Sequence, residues 1–162
     1  MQLKVPIRYL PKKLSTKDKK KQYNMLMKSR KLYHNKKYFS RKPLKSFHSK
    51  TSKHITNAKK IYNVNTIGAT NELSKKTGCS KSALTKIISK GEGAYFSSGS
   101  RPNQTGQSWG IARLASSISA GKAAAVDYNI LENGCKPNSK ALKLAKIAKK
   151  KYGFGKHKVP KV

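Results

Sequence analysis

The chain has 162 residues, one domain's worth by length, with 38 Lys and Arg against 5 Asp and Glu and a formal charge of +33. Self-repulsion at that imbalance is relieved only by counter-charge from outside, which points to DNA, RNA, anionic headgroups or acidic protein faces as partners. No stretch approaches the roughly 20 apolar residues of a membrane span, and Met1-Gln2-Leu3-Lys4-Val5-Pro6 lacks the apolar region of a secretory signal.

Charge divides the chain into three. Residues 1–62 carry one acid, Asp18, among many lysines and arginines, and no glycine occurs before Gly68. Residues 63–138 hold the other four acids (Glu72, Glu92, Asp127, Glu132) and most of the glycines, while 139–162 carry lysine and no acid. The expectation is a mainly α protein: a small helical core over 63–138, a basic N-terminal arm with helical segments over 1–62, and a basic amphipathic C-terminal tail over 139–162. Such a core is near the lower limit for independent stability, so it leans on its arms or on a partner.

In the N-terminal arm, Leu3, Val5, Ile7 and Tyr9 alternate with polar residues and Pro6, a period-2 pattern that fits a short edge strand or an extended peptide laid on a neighbour. Ser15 and Asp18 resemble a capping box, which predicts a helix from about Thr16 to about His34 bearing Lys19, Lys20 and Lys21. Lys36, Lys37, Tyr38, Phe39, Arg41, Lys42 and Phe47 then interleave bases with aromatics. That composition suits a polyanion, with cations on phosphate or carboxylate and rings stacking; equally, the aromatics pin the arm to its own core. Ser52 to Tyr62 reads as another short helix.

In the core, Asn71–Thr77 is stopped by Gly78 at a natural C′ position, and Ser80 caps a helix carrying Ala83, Leu84, Ile87 and Ile88 that Gly91 is expected to stop. The hairpin resembles a helix-turn-helix unit with Lys81, Ser82, Thr85, Lys86 and Ser89 outward; a plain capped αα-hairpin reads the same way. Gly91 to Gln107, including Arg101, is expected to be a long polar loop, either an anion cradle or a structural loop satisfying buried backbone groups. A periodic helix should follow from Ser108 to Gly121 and another from Lys122 to Glu132, with Arg113 and Asp127 as an internal ion pair. In the tail, Ser139 caps a basic amphipathic helix with Lys149, Lys150 and Lys151 near its end, which docks on its own core, on a partner groove or, least favoured, as a peripheral contact on an anionic membrane. Gly153 to Lys161 reads as extended.

Cys79 and Cys135 are far apart and have no His at zinc spacing, so they read as reduced thiols, with pairing as the alternative. No metal or other cofactor is expected. All four His (His34, His48, His54, His157) lie in the arms, and no acids are paired at a spacing that suits catalysis, so a non-enzymatic protein is expected.

The run Gly93-Ala94-Tyr95-Phe96-Ser97-Ser98-Gly99-Ser100-Arg101-Pro102-Asn103-Gln104-Thr105, continuing through Trp109 and Arg113 to Gly121-Lys122 and Asp127, resembles the signature of an uncharacterised family of small, highly basic proteins of large double-stranded DNA viruses. The resemblance covers about residues 71–135 and implies a setting in a virion, or in host cytoplasm or nucleus during assembly, without implying an activity. Two function classes follow. One is a minor capsid or internal linker protein whose basic arms bind other capsid proteins or acidic surfaces. The other is a DNA-binding or DNA-condensing protein.

Overall fold

In the computed structural model residues 5–153 are described, and they are mainly helical. The helices are α1 (Thr16–His34), α2 (Lys53–Tyr62), α3 (Asn71–Thr77), α4 (Lys81–Ser97), α5 (Gly106–Ile118), α6 (Lys122–Val126), α7 (Tyr128–Gly134) and α8 (Lys140–Tyr152). Among the described residues two compact units are distinguished: 5–50 with Glu92–Trp109, and Thr51–Gly91 with 110–153.

The start of the first unit differs from the expected strand. Ile7–Tyr9 is a single 3-10 turn, not an edge strand. Pro6 sits at φ −55°, its ring-locked value, and its carbonyl accepts from the Tyr9 N–H at 2.9 Å, so the chain turns where alternation predicts extension. Val5 and Tyr9 thereby both reach Leu26 of α1; Leu3 lies outside the described residues. Helix α1 starts as expected, with Ser15 Oγ accepting from the Asp18 N–H at 3.1 Å. The reciprocal half of the capping box is absent. The Asp18 carboxylate instead accepts from the Ser46 N–H and hydroxyl at 3.0 and 2.6 Å, and the Ser15 N–H donates to Ser46 Oγ. Those two bonds from Ser46 hold the Asp18 pKa below its ordinary value.

In the second unit one continuous apolar cluster joins α2, α3, the first part of α4, and α5 to α8. Leu73, Leu84, Ile87, Leu114, Ile118 and Leu131 are fully buried. Serine and threonine caps delimit the helices: Ser52 on α2, Thr70 on α3 and Ser139 on α8 each accept a first-turn N–H. The apolar face of α8 (Ala141, Leu142, Ala145, Ala148) is buried against α6 and α7 of its own unit, while Ile147 stays 59% exposed among lysines. The segment read as extended after Gly153 lies outside the described residues.

Gly91 does not stop α4, which runs on to Ser97 and takes Gly91–Ser97 out of the expected loop. The reason is packing: a Cβ on Gly91 would lie 2.5 Å from the Cα of Gly110. The glycine marks a close helix–helix approach, a use that one helix's sequence does not separate from a C-cap. Helix α5 likewise ends at Ile118, before Gly121, which is the N-cap of α6. The single helix expected from Lys122 to Glu132 is two, divided at Asp127.

The cysteines are also corrected: Cys79 and Cys135 form a disulfide. The Ser80 N–H donates to the Gly134 carbonyl at 2.8 Å and the Lys136 N–H to the Gly78 carbonyl at 2.9 Å, an antiparallel bridge that brings the thiols together. Their 56-residue separation hides this proximity from the sequence.

Candidate nucleic-acid interface

The turn between α3 and α4 is built from short polar side chains. Gly78 takes φ +79°, and its N–H donates to the Ser74 carbonyl, closing α3. A side chain there would also strike Ser139, 2.6 Å from the Cβ position. The Thr77 hydroxyl donates to the Leu73 carbonyl at 2.7 Å and accepts from the Cys79 N–H. Ser80 Oγ accepts from the Ala83 N–H at 3.1 Å and so starts α4. Hydrogen bonds, the disulfide and burial of Leu73, Leu84 and Ile87 fix this hairpin from three sides.

That fixes what α4 presents. Lys81, Ser82, Thr85, Lys86, Ser89 and Lys90 are all exposed, at i, i+1, i+4, i+5, i+8 and i+9, one continuous face on which half-buried Glu92 is the next residue in register. Five of them, with Ile130 of α7, line an open depression of about 540 Å³. The face combines ammonium groups, which meet phosphate, with hydroxyls that donate to and accept from phosphate or base edges. Sequence reasoning misses Lys90. Its Nζ lies 3.6 Å from Asp127, at the end of the periodic run, where a stop at Gly91 makes it look like the frayed end of a helix.

Asp127 itself is fully buried and accepts a bidentate pair from Arg113, 2.8 Å to each oxygen. The ion pair expected from sequence is therefore present. Asp127 and Asp18 are both engaged internally, so two of the five acids soften the outer charge least.

The remaining candidate residues separate into two groups. Lys19, Lys20, Lys21, Lys36, Lys37, Lys42, Lys81, Lys86, Arg101, Lys150 and Lys151 are exposed; Lys149 is half-buried with its Nζ 4.3 Å from the Tyr128 ring centre. Arg41, Phe39 and Phe47 turn inward. Phe39 and Phe47 pack against Leu14, Met25 and Leu44. Arg41 is 7% exposed and stacks 3.8 Å from the centre of the Tyr95 ring. Its guanidinium donates to Ser29 Oγ (2.8 Å), the Tyr95 carbonyl (2.9 Å) and Ser100 Oγ (2.9 Å), all neutral acceptors, and burial pushes its pKa down. Its side chain is committed within the fold. Asn103 completes the arrangement: it accepts from the Leu44 N–H and donates to the Phe47 carbonyl, both at 2.6 Å. Residues 95–103 thus clamp residues 41–47.

The family model that matches spans residues 6–154 and is described as a family of unknown function, DUF5824. The chain belongs to DUF5824. No curated protein and no solved structure matches it. The DUF5824 match takes in both units, so the clamp around Arg41 and the α3–α4 hairpin both fall within the family's span. Among the described residues of this DUF5824 member, no three His, Cys, Asp or Glu side chains gather as a metal would need, and no helix is long and apolar enough to cross a membrane.

Proposed function

We propose that this protein is a non-enzymatic nucleic-acid-binding protein that holds duplex DNA against the outward face of α4, with the remaining lysines supplying sequence-independent attraction. The observation that carries this reading is the division of α4: Leu84 and Ile87 fully buried on one side, three lysines and three hydroxyls exposed on the other. A hairpin fixed by a disulfide and buried side chains presents that face without an ordering cost at binding. Its setting, on the resemblance to proteins of large DNA viruses, is the particle or the cell that assembles it. Binding of a short duplex should weaken steeply with salt. The double substitution Lys81→Ala, Lys86→Ala should lower the log–log salt slope by about 2, at roughly one for each phosphate-neutralising lysine removed. An unchanged slope sinks the assignment to α4.

A second reading has its own support. Disulfides persist in oxidising settings, virion surfaces among them, and are rare in reduced cytosol; Cys79–Cys135 fits a minor capsid or linker protein held against acidic neighbours. Fractionation separates the two readings. A chain that stays with the protein shell after nuclease digestion of opened particles is a shell component, and one that leaves with the genome is a DNA binder.

A further inference from the structure

In the unit that contains α1, three aromatic rings (Tyr33, Tyr38 and Phe96) form a contiguous group over buried Tyr95. Tyr38 lies 6.2 Å from Tyr33 and 5.1 Å from Phe96, centre to centre, and Phe96 meets Tyr95 edge-on at 4.9 Å. Rings that pack for stability bury themselves. Here Tyr38 keeps 70% of its surface in water and Tyr33 38%.

The turn that places Tyr38 breaks a local rule. Helix α1 closes with the Lys36 N–H on the Tyr33 carbonyl (2.9 Å) and the Lys37 N–H on the Leu32 carbonyl (2.9 Å), a Schellman motif. Its left-handed position, normally glycine, is Lys36 at φ +59°. A side chain there costs about 1–2 kcal/mol in the backbone. The position gains nothing in burial, because Lys36 is exposed. What it gains is a cation immediately before Lys37 and the exposed ring. Arg30, one turn before Tyr33, is held by its Nε donating to the Ser98 carbonyl at 2.9 Å. The sequence groups Tyr38 with Phe39 and Phe47, but the fold takes those two inward and leaves Tyr38 out with partners from α1 and α4.

We infer that Tyr38, backed by Tyr33 and Phe96 and rimmed by Arg30, Lys36 and Lys37, is a stacking platform for an unpaired base of a single-stranded nucleic acid. An exposed ring accepts any base on its face, and cations at its edge take the adjoining phosphates, the combination that single-strand binders use. The duplex offers such a ring nothing, since its bases are stacked on each other. This site is therefore separate from the α4 face, and the two succeed or fail independently.

The test is fluorescence anisotropy of a labelled oligothymidine about 16 nucleotides long, with a duplex of equal length alongside, using the full chain. Tyr38→Ala should weaken oligothymidine binding about 5- to 150-fold, the range that loss of one stacked base gives. Tyr38→Trp should restore it, and duplex affinity should change less than about twofold in both variants, because Lys81, Lys86 and Lys90 are untouched. Thermal midpoints should match wild type, since the ring is exposed. Equal oligothymidine affinity for wild type and Tyr38→Ala, no oligothymidine binding at all, or failure of Trp to restore it would each overturn the proposal. Loss of duplex binding alone, on substitution of Lys81 and Lys86, bears on α4 and leaves the platform standing.

Discussion

The two units are held together by different forces. In the unit built on α2 to α8, one apolar cluster runs continuously through every helix, and its single buried acid is neutralised by Arg113. Among the described residues, the unit built on α1 and residues 92–109 has two apolar clusters of three buried side chains each. Polar side chains fill the gap: Arg41 on Ser29, Tyr95 and Ser100, Asn103 on Leu44 and Phe47, Asp18 on Ser46. A lysine-rich, glycine-free stretch can therefore be a folded part of a domain without an apolar stripe. What it requires is a second segment, here Tyr95–Asn103, that accepts its donors.

The ion pair should separate the two units most strongly. Asp127→Ala leaves Arg113 partly buried without its carboxylate and should destabilise the α2–α8 unit by about 3–5 kcal/mol, read as a lower thermal midpoint. Removing the disulfide with Cys79→Ser and Cys135→Ser should cost about 2–5 kcal/mol in the same unit, and reductant should reproduce that shift in wild type but not in the variant. The smallest effect lies in the other unit and probes its polar character. Asp18 has a lowered pKa in the fold, so its contribution is fully present above the ordinary carboxylate range and is lost as pH falls through the lowered value. Ser46→Ala should flatten that acid limb of stability; an identical limb would mean that Asp18 contributes through the lysines around it instead.

Much of the second unit is legible in the sequence because its signals are local. Ser80 before Ala83-Leu84, Gly78 after Thr77, and the spacing of Leu114, Ala115 and Ile118 each specify a helix end or face within one or two turns. Arg113 and Asp127 are legible as a pair because buried opposite charges seek each other. The rest depends on positions far apart in the chain. Nothing near Arg41 announces Tyr95 and Ser100, more than fifty residues away, so its charge reads as surface charge. Gly91 carries the same letter whether it ends a helix or lets another helix approach; only Gly110 decides. Tyr38 and Phe39 are adjacent and chemically alike, yet one is exposed and the other packed, because Pro43 and Leu44 lead into the Asn103 clamp while Lys36 turns the chain back over Tyr33.

The most direct test sets one inward base against one outward base. The salt dependence of duplex affinity and the thermal midpoint would be measured for Arg41→Gln and Lys86→Ala, at a temperature below both midpoints. Lys86→Ala should reduce the log–log salt slope by about one and leave the midpoint in place. Arg41→Gln should lower the midpoint, with about 1.5–3 kcal/mol lost per charged hydrogen bond, and leave the slope as it was. A slope that falls for Arg41→Gln and stays fixed for Lys86→Ala would contradict the account, placing the polyanion on the clamp and not on α4.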